Sequence, residues 1–239
     1  MAERQGPKVY SIAAHRGFAD ALVAGLVPRY ADDEFGLARL TLLVPSSRAR
    51  RTISEAFIRH AGEQGTPGLL MPRMAVVGDL DLDETLGPLL DPLGAADIPR
   101  AIEPQRRLFA LARLIADTMG DEAPGGATLL RLARETGATM DRLLVEGVGP
   151  EELVGESVLD LFGSLSDHWQ RSLHLFATVQ AKWLEQLQQW DALDAAARRN
   201  RLFDWAAARW RAAPPETPIV AAGVTSAAPS LARLLRVVA

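Results

Sequence analysis

The spacing of apolar positions divides the chain into three stretches. Lys8 to Ala13 (K-V-Y-S-I-A) carries β-branched and aromatic residues and reads as a short buried strand. His15 to Tyr30 follows with Phe18, Leu22, Val23, Leu26 and Val27 at the three-and-four spacing of a helix. Leu40 to Val44 is a continuous apolar run, as expected of a strand covered on both faces. Pro45-Ser46-Ser47 closes it, and either serine can cap a helix through about His60 whose inward residues are Ile53, Ala56, Phe57 and Ala61. Leu69 to Val77 supplies one or two further short strands, broken at Pro72. Strands and helices alternating through short connections predict βαβ units on a parallel sheet.

Gly78 to Ile98 holds six acidic residues and no basic one, and it reads as the linker at which the architecture changes. From Glu103 to about Ala213 the period is helical. Glu103-Pro104 starts a helix with Leu108, Leu111, Ala112, Ile115 and Met119 in line. A second runs over about 128–146 through Leu129, Leu132, Ala133, Thr136, Met140, Leu143 and Leu144. A third carries Leu165, Trp169, Leu173, Phe176, Val179, Trp183, Leu187 and Trp190, and a fourth covers about 194–212. Pro214-Pro215 ends this block, after which Ile219 to Ala222 reads as a strand and Pro229 to Ala239 as a helix. The pattern predicts an α/β lobe over 1–98, a helical insertion over 99–213, and a return to the α/β lobe over 214–239. A sheet of three or four strands that stops just after a helix is the pattern of a fragment of a longer protein.

Composition narrows the chemistry. The chain has 239 residues, 48% of them hydrophobic, so it is long enough for a real core. Zero cysteines exclude disulfides, thiolate nucleophiles and iron–sulfur ligation within these residues. No apolar stretch reaches the roughly 18–20 residues of a membrane span, and Met1 to Pro7 lacks the apolar core of a signal peptide, so the expected location is cytoplasmic, with no membrane partner. A formal charge of −4 makes any nucleic-acid surface a local matter. Only two basic residues are lysines, Lys8 and Lys182.

Those lysines matter because nucleotide hydrolysis at a strand-to-helix junction uses G-x-x-x-x-G-K-[ST]. The first junction is A-A-H-R-G-F, Ala13 to Phe18, and neither lysine follows a glycine. His15 and Arg16 remain as a candidate phosphate pair; the alternative is ordinary capping and surface polarity. The second junction, V-P-S-S-R-A-R-R from Val44 to Arg51, sets hydroxyls and arginines where helix amides converge. Arginine forks match phosphate oxygens and serine donates, so Ser46, Ser47, Arg48 and Arg51 are the candidate DNA contacts; the alternative is a capped helix with a solvated basic face. The third junction, Ile219 to Val224, carries no carboxylate to hold magnesium. Asp79, Asp81 and Asp83 have the alternation of a calcium loop, but Glu84 and Leu90 stand where that loop needs glycine and glutamate. The histidines His15, His60, His168 and His174 have no zinc spacing, so no metal and no cofactor is expected. All five tryptophans fall in the last two helices of the helical block, as core or as a docking face.

The ordered junctions resemble superfamily 1 helicases. A first strand–loop–helix, then V-P-S-S-R-A before a helix, is similar to their motifs I and Ia, and I-V-A-A-G-V with the S-L-A-R-L-L helix is similar to the return to motif II. With both motifs emptied, the chain resembles the AddB subunits of AddAB-type helicase–nucleases, in their alphaproteobacterial form. The stretches that carry this are H-R-G-F-A-D-A-L-V-A-G-L (15–26), L-T-L-L-V-P-S-S-R-A-R-R (40–51), L-L-M-P-R-M-A-V-V-G-D-L-D (69–81), D-H-W-Q-R-S-L (167–173), A-A-R-R-N (196–200) and A-A-R-W-R-A-A-P-P (207–215). The resemblance implies a P-loop-NTPase-like α/β parallel sheet with a degenerate nucleotide site and a large all-helical insertion. It implies a non-catalytic part in double-strand break repair, with an AddA-type subunit as motor partner and DNA as ligand. In that family AddB also reads Chi and carries a C-terminal nuclease with an iron–sulfur cluster; neither a nuclease motif nor a cysteine is found in this chain. Of the family's residues, only the motif Ia positions Ser46, Ser47 and Arg48 carry over. The competing expectation is a protein–protein module that docks through its Trp-rich helices and has no DNA affinity.

Overall fold

The computed structural model describes residues 8–31, 35–65, 68–78, 97–149, 152, 167–225 and 228–239, without the side chains of 167–169. The protein is a mostly helical α/β structure with a small parallel sheet. Its elements in chain order are α1 (Phe18–Tyr30), β1 (Thr41–Val44), α2 (Ser47–Glu63), β2 (Arg73–Val76), α3 (Pro104–Met119), α4 (Gly126–Glu146), α5 (Asp167–Gln189), α6 (Ala195–Ala212), β3 (Ile219–Ala221) and α7 (Pro229–Val238). The acidic 79–96 stretch, with Asp79, Asp81 and Asp83, and the start of the third expected helix at Leu165 lie outside the described residues.

The three strands are parallel in the order β2-β1-β3. Thr41 to Val44 face Arg73 to Val76 on one side, and Thr41 to Leu43 face Ile219 to Ala221 on the other. As the central strand, β1 is buried at all four positions, which is why T-L-L-V reads as a continuous apolar run. β2 begins just after Pro72, which lacks the N–H a ladder position needs. Gly78 follows β2 at a close approach: a side chain there would overlap the carbonyl oxygen of Pro45, so the ends of β1 and β2 meet only because residue 78 has no Cβ.

Lys8 to Ala13 is not a strand. The segment has no regular secondary structure, and Val9 and Tyr10 are exposed. β-branched residues favour a strand only where a neighbouring strand satisfies the backbone and covers a face. Here the Tyr10 ring instead carries the Arg29 guanidinium at 4.8 Å, and Ala13 turns to accept from the Arg16 N–H at 2.9 Å. α1 accordingly starts at Phe18 rather than His15.

The chain divides into two compact units, one formed by Met1–Ala95, Phe203–Ala227 and Leu231–Ala239, the other by Ala96–Leu202 and Ala228–Ser230. In the first, Ala19, Val23 and Leu26 of α1 and Ile53, Ala56 and Phe57 of α2 pack on Leu42, Val44 and Val76. An exposed Arg59–Asp20 ion pair at 2.6 Å adds a polar tie between α1 and α2.

In the second unit, Leu111, Ala112 and Ile115 of α3, Ala133 and Met140 of α4, and Val179, Trp183 and Leu187 of α5 share one core. Glu103 caps α3, accepting from the Arg106 N–H at 2.9 Å, and Pro104 occupies the first turn, where a missing N–H costs nothing. α5 has 23 residues, about 35 Å at the helical rise. Among the described residues, no helix is long and apolar enough to cross a membrane.

The core of this unit also encloses charge. The Arg107 guanidinium lies 2.7 Å from Asp141 and 2.8 Å from Asp194, and donates to the Gly137 carbonyl at 3.2 Å. Asp194 in turn accepts from the Trp183 indole N–H at 3.0 Å. Burial holds the Asp194 carboxyl above its ordinary value, against the opposing pull of Arg107 and the Trp183 hydrogen bond; the nearby Asp141 charge adds to the rise. Two carboxylates share one guanidinium, so its charge cannot fully compensate both.

Candidate nucleic-acid interface

The site is built where β1 hands over to α2, at the carboxyl end of the central strand, the edge at which open α/β sheets receive ligands. Pro45 stops the strand, and Ser46 is extended, with φ −156° and ψ 162°. Its Oγ accepts from the Ala49 N–H at 3.2 Å, so the first of the two serines is the cap. Ser47 then opens the helix and is exposed. The first turn of α2 contains no acid, so the positive end of the helix dipole and the arginine charges add.

Three arginines follow within one turn. Arg48 is exposed, and its guanidinium has no ion-pair partner among the described residues. Arg51 meets Glu55 at 3.0 Å, but both side chains are more than half exposed, which makes the pair readily exchangeable for a phosphate. Arg50 is half-buried. Thr52 and Ser54 donate to the carbonyls of Arg48 and Arg50 at 3.1 and 2.9 Å, which engages their hydroxyls with the helix backbone and leaves Arg48 and Arg51 as the exposed cations of this turn.

Ser46, Ser47, Arg48 and Arg51 are thus brought together as one local cluster. His15 and Arg16 are exposed in the turn before α1, whose cap residue Gly17 makes no side-chain bond, and no hydrogen bond or ion pair among the described residues joins them to that cluster. The third junction is closed by packing. Gly223, at φ 66°, lies under the Phe18 ring, which a Cβ would meet at 3.1 Å. The residue two positions after β3 therefore packs against an aromatic ring of α1.

The expected Trp-rich docking face is largely interior. Trp183 is fully buried and Trp210 nearly so, while Trp190 and Trp205 are half-buried; the Trp169 side chain lies outside the described residues. Sequence reasoning missed the close approach of Gly78 to Pro45 and the contact between Gly223 and Phe18. It also missed the Arg107–Asp141–Asp194 cluster, because its members are tens of residues apart.

Replacing Ser46 with Ala removes one cap bond and is expected to cost about 1 kcal/mol of stability. Replacement with Asp restores the cap acceptor and so restores the urea midpoint, but sets a negative charge beside the arginines. A Ser46→Asp chain as unstable as Ser46→Ala would refute the capping role.

The chain matches no family model, no curated protein and no solved structure.

Proposed function

We propose that this chain is a non-catalytic, helicase-like scaffold of the AddB kind that holds a DNA strand at the β1–α2 junction and serves an AddA-type motor subunit in double-strand break repair. One observation carries the DNA contact: a Ser46-capped helix start, free of acids, that presents Arg48 and Arg51 at the carboxyl edge of a parallel sheet. Helix amides and arginine forks both favour phosphate oxygens and neither distinguishes bases, so the contact positions a strand without reading its sequence. The ordered motif stretches support the family assignment. The absent G-K-[ST] and the missing carboxylate after β3 support a scaffold rather than an ATPase role.

Fluorescence anisotropy with labelled single-stranded and forked DNA over a salt series tests the contact. Salt-sensitive binding is expected, because neutralising phosphates releases counterions. The Arg48→Ala/Arg51→Ala double variant is expected to flatten the log–log salt slope by about two. Binding absent at low salt, or a slope that the variant leaves intact, would overturn the junction as a DNA contact.

A further inference from the structure

A second place with nucleic-acid chemistry lies wholly within the helical unit. A groove of about 550 Å³ opens between Ile98–Glu103 and the turn Trp190–Ala192, a size suited to one small planar ligand. Its walls are tied together by backbone bonds, Ile102 N–H to the Leu193 carbonyl at 2.8 Å and Leu193 N–H to the Arg100 carbonyl at 3.1 Å. At its side the Arg106 guanidinium lies over the Trp190 ring, 4.0 Å from the centroid. Trp190 is braced from within by Trp183 in an edge-on contact, 6.0 Å between centroids at 82°. Arg106 is itself exposed, so a guanidinium seated over an indole lines the groove.

The groove carries further polar groups. Arg100 is exposed beside it, and neither Arg100 nor Arg106 has an ion-pair partner among the described residues. Asp191 lines it from a backbone at φ 46°, the one positive φ of a non-glycine residue among those described. That conformation is uncommon, and it places an aspartate among the residues of the groove edge. Stacking plane, spare cation and hydrogen-bond acceptor are together the groups that recognise a nucleotide whose base is not paired.

We infer that this groove takes one unpaired nucleobase of a DNA strand, stacked against the Arg106 guanidinium that Trp190 supports, with Arg100 on the adjoining phosphate. The inference rests on the DNA-binding reading above and adds to it a site that senses bases. The β1–α2 junction senses only phosphates, so the two are separable by experiment.

The test compares, with the full chain at one salt concentration, a labelled oligothymidylate and an abasic strand with the same number of phosphates. The base-bearing strand is expected to bind tighter by roughly 5- to 150-fold, the range for one stacked base. Arg106→Ala is expected to abolish that preference. Arg106→Lys, which keeps the charge and loses the plane, is expected not to restore it. Arg48→Ala/Arg51→Ala is expected to weaken both strands alike and leave their ratio unchanged. Equal binding of the two strands by the unaltered chain, or a preference that survives Arg106→Ala, overturns this site while leaving the junction contact standing. No binding of either strand overturns both.

Discussion

Replacing Arg107 with Ala is expected to lower the stability of the helical unit by about 3–5 kcal/mol, the cost of breaking a buried ion pair from one side. The guanidinium serves Asp141, Asp194 and the Gly137 carbonyl together, and Asp194 is almost entirely buried. Without it, both carboxylates lose their shared cation, and the Trp183 N–H remains as a donor to Asp194 alone of the two. Arg107→Lys keeps a charge but not the fork that spans both acids, so an intermediate loss is expected. Asp194→Asn retains an oxygen to accept from Trp183 and is expected to be milder than Arg107→Ala. Urea unfolding followed by circular dichroism measures all three, and an Arg107→Ala midpoint equal to that of the unaltered chain would refute the role given to the cluster.

The same cluster sets a pH dependence. Burial raises the Asp194 carboxyl above its ordinary 3.8. Between that value and the raised one, the folded chain binds more protons than the unfolded chain, so stability falls as pH rises through the window. Relative to Asp194→Asn, the unaltered chain is therefore expected to lose stability on going upward from about pH 4. A difference between the two that is flat with pH, or that slopes the other way, would contradict a raised carboxyl.

Phe57→Ala is expected to have the largest effect on the α/β unit, again about 3–5 kcal/mol, because the ring is fully buried and its removal leaves a cavity. Phe57 belongs to the core in which α1 and α2 pack on the sheet, with Val23, Ile53, Val44 and Val76 around it. Loosening α2 also loosens the start of that helix, where Ser46 and Arg48 are held. Hydrogen exchange is expected to show lost protection in peptides from α1, β1, α2 and β2. The Phe57→Leu chain, which refills most of the volume, is expected to recover much of it. Protection unchanged in Phe57→Ala would mean that this ring does not anchor the helix to the sheet.

Legibility from sequence followed the locality of the physics. The central strand, its capped helix and the three long helices of the second unit were readable because each is specified by neighbours a few positions apart. The apolar run Leu40 to Val44, the Ser46 oxygen three residues before the amide it caps, and the repeated Leu111–Ile115 and Val179–Trp183–Leu187 spacing are all local signals. The DNA candidates Ser46, Ser47, Arg48 and Arg51 were readable for the same reason, since one helical turn brings them together.

Lys8 to Ala13 shows where such reading ends. Its residues have the composition of a strand, yet a strand exists only with a partner, and the Arg29–Tyr10 stack takes up the segment instead. The tryptophans show the same limit: the regular helical spacing through residue 190 did not separate Trp183, fully buried within α5, from Trp190, half-covered in the turn after it.

By itself, then, the amino-acid order determined the central strand, the long helices, the capped β1–α2 junction and the lack of a nucleotide-hydrolysis motif, because each depends on residues within one turn or one strand. Tertiary structure alone decided the strand order β2-β1-β3, the closure of Gly223 by Phe18, the sharing of Arg107 between Asp141 and Asp194, and the stacking of Arg106 on Trp190. Those features join residues far apart in the chain, whose meeting is governed by how whole elements bury their apolar faces and not by any local pattern.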